Sequence, residues 1–316
     1  MLLILLFAQY AMIRYKFIIL LTGALAFNNC QKNEIPVVPN LVFNLAFDAG
    51  QARLNNFGVP VSIPVGHAAQ TPVFNEMSLH YIELSQDSTT QLGKGEIVYE
   101  SAVTTFGGGE AIDFENSVKA GNNKEFCRLK ISTIKPGRYE YIRASASYQN
   151  YVVRYNIKGI PAVGDLVQQS GILSSFVGYN TYIKNVVPKK QILTVNANVP
   201  QGYWVFETDL LAPYDLYNKL YFGQSAGTTT VVNPLFNSSP IPSGSCVITG
   251  KLTEPLIITG DEKEDIVVKL SFSINNSFEW IDNNGNNQLD FYGTPGNPQE
   301  PVVDMGLRGL IPSIEK

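Results

Sequence analysis

The chain has 316 residues, 23 lysines and arginines against 27 aspartates and glutamates, and 45% of its residues are hydrophobic. That length supports one or two domains with a substantial buried core. The net charge of −4 offers no electrostatic footprint for nucleic acid or for an anionic membrane surface, so neither is expected as a charge-driven partner.

Residues 1–11 read as an over-extended start, and Met12 opens a better signal. Arg14 and Lys16 precede an apolar run from Phe17 to Phe27. The run is shorter than the roughly 20 apolar residues a membrane span needs, and cations lead it, as in a cleaved secretory signal covering 1–29. An N-terminal anchor helix is the alternative. The run ends at Cys30, followed by Gln31-Lys32-Asn33-Glu34 and the extended Ile35-Pro36-Val37-Val38-Pro39. This arrangement resembles a bacterial lipoprotein signal, in which the cysteine becomes the acylated first residue of the mature chain. Phe27-Asn28-Asn29 departs from the usual small-residue box and is similar to the relaxed boxes of Bacteroidota lipoproteins, where a charged tetrad after the cysteine often marks export to the outer surface. The resemblance implies an outer-membrane or surface lipoprotein of the cell envelope, held to the membrane through a lipid on Cys30 with residues 30–39 as tether. The mature chain then carries 21 basic against 27 acidic residues, a net charge of −6.

Beyond the tether the pattern has period two. Leu41, Phe43, Leu45 and Phe47 alternate with Val42, Asn44, Ala46 and Asp48. Met77–Leu84, Glu96–Ser101, Phe126–Ser132 and Tyr139–Tyr148 are further strands, and a following strand ends at Gly159, Pro161 and Gly164. Ile248–Thr259 and Ile266–Ile274 complete the set. Strands bounded by Gly, Pro, Asn and Asp, without sustained helical periodicity, predict an all-β fold: an antiparallel Ig-like or transthyretin-like β-sandwich over 40–316. Residues 165–245 are denser in aromatics and turns and read as an insertion between strands of that sandwich, with a second small β domain as the alternative. Leu210–Leu220 is the one stretch with the character of a short helix.

Met77–Leu84 and Phe126–Tyr148, the latter containing Ile134-Lys135-Pro136-Gly137-Arg138-Tyr139, resemble envelope β-sandwich lipoproteins of Bacteroidota. More distantly they are similar to the MbnP-like group, periplasmic partners of methanobactin systems, in which Pro-Gly-x-Tyr recurs as a sandwich element. Trp204 and Trp280 are the only tryptophans, so the group's copper chemistry is not carried over.

Candidate chemistry is sparse. Gly223-Gln224-Ser225-Ala226-Gly227 spells a nucleophile elbow, but a β-branched run closed by Pro234 follows it, and both histidines, His67 and His80, lie upstream. A serine hydrolase therefore ranks last. Two histidines and no suitably spaced cysteine exclude a structural zinc pattern, and Gly107-Gly108-Gly109-Glu110 reads as a bend. Asp282-Asn283-Asn284-Gly285-Asn286-Asn287-Gln288-Leu289-Asp290 is the serious candidate. Asp282, Asn284, Asn286 and Asp290, with a carbonyl near Gln288, offer hard oxygens at alternating spacing, and Gly285 supplies the turn that a calcium (Ca2+) site needs. An Asn-Gly hairpin turn with a solvated tip competes on equal terms. Cys127 and Cys246 stand at inward positions of alternating strands, suited either to a disulfide in an oxidising envelope or to two buried thiols. Tyr203, Trp204 and Phe206 are the candidate ligand platform, against a role in the core. The reading that results is a non-enzymatic, lipid-anchored binding or structural protein with a protein or glycan ligand; a carbohydrate-binding component of a surface glycan system is the alternative.

Overall fold

The computed structural model describes residues 38–225, 229–242, 245–292 and 300–315. The signal segment, Cys30 and most of the tether, Ala226 and Gly227, and Gly293 lie outside the described residues. In chain order the strands are β1 (Asn40–Asp48), β2 (His67–Gln70), β3 (Val73–Ser85), β4 (Glu96–Glu100), β5 (Val103–Thr104), β6 (Ala111–Asp113) and β7 (Lys124–Lys130). The middle of the chain forms β8 (Gly137–Ile160), β9 (Gly164–Phe176), β10 (Asn180–Val186), β11 (Leu193–Pro200), β12 (Tyr203–Thr208) and β13 (Leu220–Gln224). The last third forms β14 (Val247–Ile258), β15 (Ile266–Ser273), β16 (Phe278–Ile281), β17 (Asp290–Tyr292), β18 (Val302–Asp304) and β19 (Leu310–Glu315). The fold is all-β, a β-sandwich as predicted. The Leu210–Leu220 segment is not a helix: it holds only the 3₁₀ turn Asp215–Tyr217, because Pro213 lacks the N–H an α-helix interior requires.

The 24-residue strand β8 is the spine. β3 and then β17 line one of its edges, β14 and then β9 the other. β9 extends outward through β12 to β13, and β3 through β4. Facing this large sheet is the sheet β19-β15-β1-β7. Leu41, Phe43, Leu45, Val268, Leu270 and Phe272 from the smaller sheet meet Met77, Leu79, Ile142, Ala144 and Tyr151 from the larger in one hydrophobic core. Alternation thus buries one side chain in two on each inner face.

The stretch 165–245 is built into this frame. β9, β12 and β13 belong to the large sheet, while β10 and β11 join β6 and β5 in a separate sheet. A second core of Phe114, Tyr148, Phe176, Ile183, Val186, Val199 and Val205 joins residues of β10 and β11 to residues of the large sheet. One strand serves both cores because β8 changes parity. Ser78 pairs with Tyr148 but Leu79 with Ala146, and the extra residue at this bulge turns Tyr148 to the second core while Ala146 and Tyr151 face the first.

A buried ion pair locks the start of β8 to β3. Arg143 and Glu83 are both fully buried, with Nη1 3.3 Å from Oε2. Glu83 also accepts from the Gly95 N–H at 2.6 Å, and Arg143 Nη2 donates to the Thr90 carbonyl and to Ser239 Oγ. A Cβ at Gly95 would lie 2.3 Å from the Leu84 carbonyl oxygen, so the turn can approach the carboxylate only as glycine. Removing one partner leaves the other charge buried and unpaired. Glu83→Ala should lower the unfolding free energy by about 3–5 kcal/mol in urea titration.

Candidate functional site

β1 and β15 pair in parallel, from Leu41 opposite Ile266 to Asp48 opposite Ser273. Both segments therefore leave the sheet at the same end. There they are stitched together: the Ile274 N–H donates to the Asp48 carbonyl (3.0 Å), Ser273 Oγ to that of Ala52 (3.0 Å), and the Leu54 N–H to that of Arg308 (3.0 Å). The short sheet β18-β16-β2 stands at this end.

Along β16, Phe278 and Trp280 enter the core, and Glu279 between them is only 5% exposed. Its Oε2 accepts from Arg53 Nη2 and, at 3.2 Å, from Arg308 Nη2; its Oε1 lies 2.6 Å from His67 Nδ1. Arg308 Nη2 also approaches Asp304 Oδ2 at 3.2 Å, and its Nη1 donates to Thr230 Oγ1 at 2.6 Å. Asp304 accepts in addition from the Thr230 hydroxyl and from the N–H of Gly306. Arg53 donates to the carbonyls of Ser62 and Asn276. Burial, and then the neighbouring Arg308, lowers the Arg53 pKa, with Glu279 opposing both. Two guanidinium groups thus face two carboxylates, brought together from three places in the chain: Arg53, Glu279 on β16, and Asp304 with Arg308.

This network floors an open cavity of about 350 Å³. Asn55, Asn56, Phe57, Val61 and Pro64 wall it. The wall loop is pinned from inside, since Asn55 Oδ1 accepts from the N–H groups of Phe57 (2.9 Å) and Val59 (3.1 Å). It is also pinned from outside, where the N–H of Asn233 donates to the Asn56 carbonyl (3.0 Å). Phe57 is 53% exposed and packs edge-on against Phe236, itself 45% exposed, with ring centroids 4.7 Å apart.

β16 runs on into the Asp282–Asp290 loop. Asn284, Asn286 and Asp290 converge there: Asp290 is fully buried, and its Oδ2 accepts from the side-chain amides of Asn284 (2.7 Å) and Asn286 (3.0 Å), while Oδ1 accepts from Asn156 (2.7 Å). Asp282 instead caps the turn, accepting from the N–H groups of Gly285, Asn286 and Asn287. The Gln288 side chain points to Gln168, whose amide donates to it at 2.7 Å. Glu300 Oε1 accepts from the Asn283 N–H and its Oε2 from that of Asp290. Burial first, then Asp290 and Asp282, holds its carboxyl above the usual range.

The other expected site residues fall elsewhere. Trp204 and Phe206 are core residues, 6% and 0% exposed; only Tyr203 of that trio reaches the surface in part, so the three do not form a platform. Cys127 and Cys246 are free thiols. Cys127 stands on β7 opposite Phe43, and Cys246 precedes β14, where Ser145 Oγ donates to its sulfur at 2.8 Å. They sit with different sheets, which removes the disulfide alternative. Burial pushes the thiols up to about 12 and about 11, so both are protonated at neutral pH. Ser225 donates its hydroxyl to the Val303 carbonyl. Arg53 and Arg308, which carry half the ionic floor, escaped the sequence reading; a charged residue set among apolar ones, as in Phe278-Glu279-Trp280 and Leu307-Arg308-Gly309-Leu310, was the available signal. Comparison with family models, with curated proteins and with solved structures returned no match.

His80, on β3, lies 3.9 Å from the Cys246 sulfur, and its ring packs at a tilt against Tyr179, with centroids 5.5 Å apart. Burial lowers its pKa to about 4. A base with a depressed folded pKa contributes stability above its unfolded pKa of about 6.5 that is lost as pH falls towards 4. Between pH 7 and pH 4 the unfolding free energy of the native chain should fall by up to about 3 kcal/mol more than that of His80→Gln, read from urea midpoints across the pH series.

Proposed function

We propose that this chain is a lipid-anchored protein of the cell envelope whose β-sandwich binds a ligand and performs no chemistry of its own. The observation that carries the binding role is the 350 Å³ cavity over the Arg53–Glu279–Arg308–Asp304 network. It has the size of a small-molecule site, a few convergent polar groups and a wall loop pinned before any ligand arrives. Its ionised groups are engaged with one another, which suits holding a ligand better than transferring protons. The cavity stands beyond the far end of β1 from Asn40, where the tether enters, and nine strand residues separate those ends by roughly 30 Å. In fractionated cells expressing the full chain, the native protein should partition with outer membranes and carry a lipid-modified Cys30 by mass spectrometry. Cys30→Ser should appear as unprocessed precursor or soluble protein; identical membrane partitioning of the variant, with Cys30 unmodified in the native chain, would remove the anchor.

The loop supports calcium as a stabilising ion, on the convergence of Asn284, Asn286 and Asp290. A half-turn of either amide puts its oxygen, in place of its nitrogen, toward the same Asp290 oxygen. Millimolar calcium should raise the melting temperature by several degrees relative to chelator, and Asp290→Asn should abolish that rise. An unchanged melting temperature would dismiss the ion.

A further inference from the structure

We infer that the cavity takes the ring of an uncharged sugar, seated on Phe57 with its hydroxyls over the ionic floor. This rests on the ligand-binding reading above and names its ligand class. Three features of the cavity lead there.

The floor is charge-balanced. Arg53 and Arg308 oppose Glu279 and Asp304, so an anion gains from one pair what it loses to the other, and a cation likewise. A fully apolar ligand is disfavoured as well, because it would displace the water that reaches the exposed edges of this nearly buried floor and the amides of Asn55 and Asn56 without replacing any hydrogen bond. What remains is a neutral molecule dense in groups that both donate and accept. A hydroxyl does both. Adjacent hydroxyls on a ring can accept from a guanidinium and donate to the neighbouring carboxylate, and the ion pairs of the floor set those two functions side by side.

The wall supplies the complementary half. Phe57 is an exposed phenyl ring at the cavity, and Phe236 packs against it in a T-shaped pair. The C–H face of a pyranose is apolar and matches an aromatic face, while its equatorial hydroxyls project sideways towards amides such as Asn55 and Asn56. The loop is held by the Asn55 cap and by the bond from Asn233, so presenting the ring requires little ordering on binding. Gly58 makes this possible: its φ is +73°, and a Cβ there would stand 2.9 Å from that of Pro234.

The test is titration calorimetry on the mature domain with two panels. One holds neutral mono- and disaccharides of glucose, mannose, galactose and xylose; the other holds glucuronate, glutamate and lysine. At least one neutral sugar should bind at millimolar affinity or better. Phe57→Ala should weaken it by about tenfold or more, and Phe57→Trp should restore it. Phe222→Ala removes an exposed phenyl ring on β13 and should leave the affinity unchanged. Phe57 is at the surface, so its variants should fold, which matching melting temperatures would establish. Neutral-sugar binding indifferent to Phe57→Ala would overturn the assignment to this cavity. Preferential, Phe57-dependent binding of a charged compound would overturn the sugar class and leave the binding reading standing. Silence from both panels would remove both.

Discussion

The parallel pairing of β1 with β15 is the constraint on which the site depends. An antiparallel partner would send the chain after Ser273 back toward Asn40. Parallel pairing sends the segments that begin at residues 49 and 274 out of the same end of the sheet, although more than 200 positions separate them in sequence. The ionic floor of the cavity then assembles where those segments meet: Arg53 and His67 from the first, Glu279, Asp304 and Arg308 from the second. The hydrogen bonds of Ile274 to Asp48 and of Leu54 to Arg308 fix the two exits against each other. Parallel pairs need long connections, and here the connection is nearly the whole domain, running through both cores before β15 returns beside β1.

Glu279 makes that meeting point rigid. A carboxylate left alone at 5% exposure would be far more costly than the ladder of a four-residue strand can offset. It is tolerable because Arg53, His67 and Arg308 all reach it. Such a cluster is weak evidence for stability, since a well-packed apolar replacement often does as well. It is better understood as a specifier: three segments must adopt one arrangement for the charges to be satisfied together. The same argument applies to Arg143 and Glu83 at the other end of the large sheet, but that pair is sealed off, with both partners fully buried. The Glu279 cluster has a cavity over it. That difference separates a sealed structural ion pair from one that floors an open cavity.

Period-two alternation made the fold class legible, and the strand read as Ile266–Ile274 is β15 to within one residue. Alternation says which face a side chain occupies but not which neighbour lies beside it, so the parallel pairing was invisible. The bulge at Ser78–Leu79 hid the length of β8: the parity change after Ala146 reads as the end of one strand and the start of another. Residues 165–245 read as an insertion because aromatics and long turns are denser there than in the strands on either side, and density alone does not tell a ligand platform from core. Trp204 instead lies over Gly223 on the neighbouring strand, where any Cβ would meet its ring at 2.5 Å, and this is core packing. The loop was legible as a turn rich in oxygen, and Asn284, Asn286 and Asp290 do meet. The cavity was not, because its members come from segments with no shared local pattern.

Loop and cavity are mechanically one object. β16 has four residues. Its second residue, Glu279, is the hub of the cavity floor, and Asp282, just beyond its end, caps the loop. The Asp282 N–H donates to the Gly66 carbonyl and that of Ile281 to Pro301, while Glu300 receives the N–H groups of Asn283 and Asp290. Gly66 adjoins His67, which itself touches Glu279, so the loop's first residue and the cavity's hub are held by neighbouring residues of one segment. Four residues of strand cannot rotate at one end and stay fixed at the other, because turning the pleat by one position would put Glu279 into the core in place of Trp280. Whatever holds the Asp290 carboxylate in its ring of amides therefore also holds Glu279 beneath the cavity, and the order of the loop is part of the preorganisation of the site.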